Sequence, residues 1–296
     1  MSSQLLQLFI FVFMKLISGV TALTLSFVSL QASASDEHAH ADEHTLEQQN
    51  LSLEKNTEGK GFGPQAPRDL DRKSGLNKRM FNRAPDFRHM NLCNIHMHES
   101  AEHKGGEFKT FAGYGDGKGY GTGYKFSGTL SSTESVKLQE DVCKSEHGSL
   151  QVGDTIEIHY VHSSAQVKPG PTLNACLSET DNNPQLRVEA QVFVLVNDAK
   201  AADFNKLVAV GEIGGYHQAL NIPANSGKPI QYAGSTTGPA YNEKGSPLQV
   251  TWSVRPKVIK VNTASVGEWC KGNVFNEDHA HGVRNLVINP KLLSNM

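Results

Sequence analysis

Six stretches of the chain alternate apolar and polar positions with a period of two, or run as short β-branched blocks: 92–98, 155–162, 186–196, 207–213, 248–254 and 286–288. Successive side chains on a strand point to opposite faces, so these stretches predict strands buried on one or both sides. Helical periodicity is scarce from residue 61 onward, and glycine and turn residues are frequent. The pattern predicts a mainly β (α+β) fold, with one domain over 61–296. The Gly- and Tyr-rich run from Gly113 to Tyr124 predicts a loop. It lacks the Lys-Ser/Thr ending of a phosphate loop and opens no helix, which excludes a nucleotide site of that kind.

Upstream the pattern changes twice. From Leu5 to Leu30 the sequence is almost wholly apolar, broken by Lys15. Read from Met14, it has a charged start, an apolar run and a small-residue site at Ala32-Ser33-Ala34. This predicts a signal peptide over 1–34, with Met14 as the true start and cleavage after Ala34. An uncleaved anchor is the alternative, because a run of this length can span a bilayer. Residues 35–60 are polar and carry His38, His40 and His44. They predict a flexible N-terminal tail whose histidines can hold zinc loosely.

Export to the periplasm or the medium gives the cysteines a meaning. Cys93, Cys143, Cys176 and Cys270 are even in number, widely spaced and without a Cys-x-x-Cys pair. In an oxidising compartment they predict two disulfides, with three pairings open. Cys93 as a metal ligand beside the neighbouring histidines is the alternative. The formal net charge of −2 gives no reason to expect nucleic acid or an anionic membrane surface as partner. The expected species is a monomer or small homo-oligomer acting on a small molecule.

The densest chemistry is CNIHMHESAEH, residues 93–103, with three histidines and two glutamates in its last eight positions. On a strand, His96 and His98 share a face, as do Glu157 and His159 in the stretch 155–162. One histidine from a neighbouring strand completes a three-imidazole set. Three protein ligands with one open position suit a catalytic zinc. Glu157 is placed to accept the free ring N–H of a ligand histidine and fix its tautomer, and Asn94 to do the same through its carbonyl. His162 faces the other way and reads as structural.

These residues carry a family resemblance. Asn94-Ile95-His96-Met97-His98, Ala101-Glu102-His103, Glu157-Ile158-His159-Tyr160-Val161-His162, Gly234-Ser235-Thr236-Thr237-Gly238-Pro239 and Val250-Thr251-Trp252 follow the order of motifs in α-class carbonic anhydrases. With Gly63-Pro64-Gln65-Ala66-Pro67-Arg68-Asp69 upstream, the chain resembles the δ class more closely, from about Gly61 to the C-terminus. The resemblance implies a single domain around a large, mostly antiparallel twisted sheet with a few short helices. It also implies zinc-dependent reversible hydration of CO2 to bicarbonate and a proton, by attack of zinc-bound hydroxide in an apolar pocket. His96, His98 and His159 would hold Zn²⁺, with Co²⁺ a possible substitute. Thr237 would orient the hydroxide, Glu102 would fix Thr237, and Val161 and Trp252 would wall the CO2 pocket.

The chain departs from the α pattern in places. Glu102 follows the His-x-His by a shorter gap, which makes Glu107 a rival for its role. Thr236 stands where α enzymes usually have leucine, and Gly238 where a second threonine is common. No residue matches the α-class proton-shuttle histidine; His89 and His103 are candidates on chemistry alone. His147, His217, His279 and His281 read as surface histidines. Two other readings remain: a cupin-type metalloenzyme with Glu102 as a ligand, and an exported zinc-binding protein using the His-rich tail.

Overall fold

The computed structural model describes residues 41–236 and 238–296. The expected signal peptide, tail residues 35–40 and Thr237 lie outside the described residues. Among these residues no helix is long and apolar enough to cross a membrane.

Eleven strands and three α-helices make up the described fold. In chain order they are α1 (Glu43–Thr57), β1 (Asn91–Glu99), β2 (Phe108–Tyr114), β3 (Thr122–Phe126), β4 (Val142–Ser145), β5 (Gly148–Leu150) and β6 (Thr155–Ser163). There follow β7 (Leu186–Val196), α2 (Phe204–Leu207), β8 (Val210–Ile213), β9 (Tyr216–Ala219), β10 (Ile230–Ser235), β11 (Gln249–Asn262) and α3 (Thr263–Cys270). The main sheet has five strands in the order β1-β6-β7-β11-β10. Every pair in it is antiparallel except β7 with β11. The fold is therefore mainly β around a mostly antiparallel sheet, and β2–β3, β4–β5 and β8–β9 add three small hairpins.

The period of two divides this sheet into two buried faces. On one, Leu92, Ile95, Met97, Ile156, Ile158, Tyr160, Phe193 and Leu195 pack with α2 and α3 residues in one apolar cluster. On the other, Val161, Val188, Ala190, Val192, Tyr232, Trp252 and Val254 form a second. β6 and β7 are buried along their whole length, polar positions such as Glu157, His159, Arg187 and Gln191 included. A register shift between Leu92 and Asn94 leaves Cys93 as the extra residue of a bulge on β1. Two disulfides close, Cys93–Cys176 and Cys143–Cys270, which settles the pairing that spacing left open and leaves no free cysteine.

Four local expectations need correction. The stretch 43–57, expected to be flexible, is the helix α1. Asp42 caps it by accepting from Thr45 N–H, and Gln49, Leu53 and Thr57 bury one narrow face spaced by four residues. Gln49 donates to Gly117 O, and Leu53 packs with Val287, Leu292 and Leu293. The strand expected over 207–213 begins only at Val210, because Asp203 caps α2 through the Asn205 N–H and the helix turns through Leu207. The run 286–288 forms no strand: only Val287 is buried, and its N–H goes to Pro67 O in a loop. The Gly/Tyr run is only partly a loop, since it closes the β2–β3 hairpin with Tyr114 opposite Thr122. Gly123 there has φ of +91°, and a Cβ at that position would meet Ala101 O at 2.7 Å, so only glycine fits.

Candidate metal centre

The register of β1 on β6 assembles the site. Asn94 lies opposite Val161, His96 opposite His159, and His98 opposite Glu157, all on the face that carries Trp252. Directly opposed residues on one face lie about 5 Å apart, close enough for two imidazoles to converge. The ring nitrogens of His96, His98 and His159 come within 4.8 Å of one another. His98 and His159 are buried; His96 is half-buried at the cavity floor.

Each ring's proton is fixed away from the point of convergence. Asn94 donates its amide to Gly170 O, so its Oδ1 is free to accept from His96 Nδ1–H at 2.6 Å. His98 Nδ1–H donates to Gly282 O at 2.9 Å, and His159 Nε2–H to Glu157 Oε1 at 2.9 Å. Three unprotonated nitrogens remain, His96 Nε2, His98 Nε2 and His159 Nδ1, with the first and last 3.1 Å apart. Burial, and then the neighbouring imidazoles, hold His96 and His98 well below the usual histidine range; burial lowers His159 too, against the pull of Glu157. Neutral nitrogens facing each other without a donor repel unless a cation sits among them. Ligands around a tetrahedral zinc stand roughly 3.3 Å apart, from zinc–nitrogen distances of about 2.0–2.1 Å. The donor set fits a divalent cation such as zinc.

Glu157 is the hub behind this set. Its Oε1 accepts from His159 and from His103 Nδ1–H, and its Oε2 from the backbone N–H of Glu102 and His103. Burial alone would raise its pKa, but His103 and His159 outweigh it and hold the carboxyl well below its usual range. The Tyr232 hydroxyl donates to His103 Nε2, so this imidazole is sealed between two partners. The grouping His103, Glu157 and His159 is thus explained by hydrogen bonds. Trp252 backs the site, its ring edge-on to His159 at 5.0 Å and to His103 at 4.9 Å.

Glu102 is 3 % exposed, and its Oε2 lies 3.8 Å from His98 Nε2. That oxygen has no hydrogen-bond partner among the described residues. Burial and then Glu157 push Glu102 well above the carboxylate range, opposed by Arg284. The rival Glu107 is exposed and accepts from Val258 N–H at 2.8 Å on the surface, away from the histidines. Glu102 is not part of the converging set, so the cupin arrangement has no support here.

A cavity of about 180 Å³ opens over His96 and His98, with Thr172, Leu173, Thr236 and His281 among its walls. Val161 and Trp252 are fully buried in the cluster under the sheet face and are not among the lining residues. His89 is exposed on a short 3₁₀ turn beside Tyr216 and lines no part of this cavity. His281, expected at the surface, is at the cavity, with its Nε2 2.7 Å from Glu277 Oε2. The only hint of it in the sequence was a second dense run, Glu277-Asp278-His279-Ala280-His281. Thr172 and Leu173 carried no sequence signal at all.

The family model of delta carbonic anhydrases matches residues 87–265. No curated protein matches the chain. Among solved structures, an α-carbonic anhydrase of Photobacterium profundum is similar at 15% identity, covering 84% of this chain and 96% of that one, with a TM-score of 0.26. The α-carbonic anhydrase of Thermovibrio ammonificans in complex with sulfanilamide is similar at 14% identity over 75% of this chain and 84% of that one, TM-score 0.26. A hyperthermostable carbonic anhydrase from an active hydrothermal vent chimney gives 14% identity over 76% and 85%, TM-score 0.26. The family match spans more than half of the chain and takes in both histidine-bearing strands of the site, so this chain belongs to the delta carbonic anhydrase family and is a carbonic anhydrase.

Proposed function

We propose that the protein hydrates CO2 reversibly at a zinc ion held by His96, His98 and His159. The observation that carries this is the convergence of three imidazole nitrogens, each with its proton fixed on the far side of the ring, on the floor of a small cavity. When bound, zinc lowers the pKa of a coordinated water to about 7, a value established for carbonic anhydrases as a class. Cobalt, which accepts the same nitrogen donors, would substitute.

The remaining groups hold and orient. Asn94, Glu157 and Gly282 O keep each ring in the tautomer that presents a lone pair. A cation beside His98 favours the ionised form of Glu102, against the burial that raises it. An ionised carboxylate can only accept, so Oε2 would accept a hydrogen bond from the Thr237 hydroxyl. The Thr237 oxygen would then accept from the attacking oxygen and aim its lone pair at carbon. The new C–O bond forms as one C=O π pair moves onto oxygen; water and CO2 thus give bicarbonate and one proton. The two disulfides support export, to the periplasm or the medium.

The test is direct. Purified protein carrying about one zinc per chain is expected to accelerate acidification of CO2-saturated buffer. His159→Ala is expected to lose both the metal and the acceleration. A fully zinc-loaded wild type that leaves the rate unchanged sinks the reading.

A further inference from the structure

The Gly- and Tyr-rich run has no part in the metal centre, yet it helps to build a second cavity. Phe111 on β2 lies opposite Tyr124 on β3, and Tyr114 lies opposite Thr122. Three steps along β2 therefore span two along β3. The extra residue makes a bulge at 112–113, where Gly113 takes φ of +120°. Plain alternation would put Phe111 and Tyr114 on opposite faces of the hairpin. The bulge turns Tyr114 back, so its ring stands edge-on to Phe111 at 5.2 Å, while the Tyr124 ring lies 5.9 Å from Phe111. Three aromatic rings thus gather on one hairpin. Phe111 is 43 % exposed, and Tyr114 and Tyr124 are half-buried.

α1 closes this aromatic cluster into a cavity of about 490 Å³. That volume lies within the range of small-molecule sites. Glu43, Leu46, Glu47 and Asn50 line it from the helix. Their spacing of three, four and seven residues is one face of α1. The two walls are tied together. Ala41 N–H donates to Gly115 O, Gln49 Nε2 donates to Gly117 O, and Asn285 Nδ2 donates to Gln49 Oε1. The residues lining this cavity are all different from those lining the one over His96 and His98.

Charge selects the ligand. Glu43 and Glu47 are exposed carboxylates on the helix face that borders the cavity. Arg284 also borders it, but this side chain is buried, its guanidinium donates to Gln65 Oε1 and Ser235 Oγ, and Glu102 offsets its charge. The helix side therefore favours a cation. Aromatic faces favour a cation too, through the ring quadrupole, and they suit an alkylated ammonium that gives up its water readily. An anionic ligand would meet the two carboxylates, and a neutral apolar one would leave them unused.

We propose that α1 and the β2–β3 hairpin form a binding site for a small quaternary ammonium compound, held by Phe111, Tyr114 and Tyr124 on one side and by the charge of Glu43 and Glu47 on the other.

The experiment is calorimetric titration of zinc-loaded full chain with choline and with its neutral isostere, in which a tert-butyl group replaces the trimethylammonium. Choline is expected to bind roughly 10-fold tighter than the isostere at low salt, and the gap is expected to narrow as salt rises. Phe111→Leu keeps an apolar side chain without a ring, and is expected to weaken choline roughly 3- to 10-fold while leaving the isostere unchanged. Phe111→Tyr is expected to keep wild-type affinity. Glu43→Gln combined with Glu47→Gln is expected to cost roughly 5-fold at low salt and little at high salt. Zinc content is expected to be the same in every variant. Equal affinity for choline and the isostere would reduce the site to an apolar hollow and overturn the proposal. So would no measurable choline binding by the wild type, or wild-type choline affinity in both Phe111→Leu and the double glutamine variant.

Discussion

His162→Phe exchanges a ring that titrates for one that does not. His162 is fully buried on β6, its ring 5.3 Å from that of Phe87. Its Nδ1–H donates to Tyr160 O at 3.1 Å, and its Nε2 is buried without a partner among the described residues. Burial depresses its pKa from 6.5 to about 3; Arg187 adds to this, and the Tyr160 carbonyl and Asp86 oppose it. The fold accepts only the neutral ring. Below pH 6.5 the unfolded chain takes up a proton here that the folded chain refuses, so stability falls as pH falls from about 6.5 towards about 3. The loss is small at pH 7, about 2 kcal/mol at pH 5, and about 4 kcal/mol at pH 3. Phenylalanine removes this dependence. At pH 7 it gives up one hydrogen bond and an unpaired nitrogen together, which nearly cancel. Urea unfolding of both proteins at pH 7, 6 and 5, in chelator so that metal linkage is absent, measures the difference. The variant is expected to gain about 2 kcal/mol on wild type between pH 7 and pH 5. A difference constant within about 0.5 kcal/mol over that range would refute the burial argument.

Three further outcomes follow from other parts of the molecule. Leu53→Ala strips α1 of its apolar anchor against Val287, Leu292 and Leu293; a cost of about 2 kcal/mol should speed amide exchange over 43–57 roughly 30-fold and leave the sheet unchanged. Replacing Cys93 and Cys176 together by alanine opens a loop spanning 83 residues, and denaturant unfolding should report a loss of about 4–5 kcal/mol. Glu157→Gln puts an amide donor against groups that already donate, His159, His103 and two backbone N–H; competition with a chelator should show zinc affinity lower by about 10- to 100-fold.

β6 and β7 were legible because apolar residues recur with a period of two along them, Ile156, Ile158 and Tyr160 on one face of β6 and Val188, Ala190 and Val192 on one face of β7. The pairing of His96 and His98 was legible for the same geometric reason, a period of two. Where burial is narrow, local pattern misleads. α1 hides only Gln49, Leu53 and Thr57, so its composition reads as a solvated tail although its cap is well formed. Residues 286–288 are apolar in type, yet Ile288 is 55 % exposed, and no strand among the described residues pairs with them. β10 escaped notice because Gln231, Ala233 and Gly234 dilute its apolar signal, and only its pairing with β11 makes it a strand. His281 and Thr172 reach the cavity by tertiary packing across long sequence distances, which no local period encodes.

β1 is an outer strand of the sheet, and its free edge is closed late. Met97 O accepts from His281 N–H, Glu99 N–H donates to His281 O, and Gly282 O receives the His98 proton. The orientation of His98, one of the three proposed zinc ligands, therefore depends on a peptide 184 positions further along the chain. During synthesis the histidines of β1 emerge long before the segment that fixes them, so a zinc site built as proposed on His96, His98 and His159 would not mature on a partial chain. Ion capture would then be one of the last events of folding. A nascent chain crossing a membrane would carry loose histidines rather than a loaded site, and would acquire its metal from the compartment where folding ends.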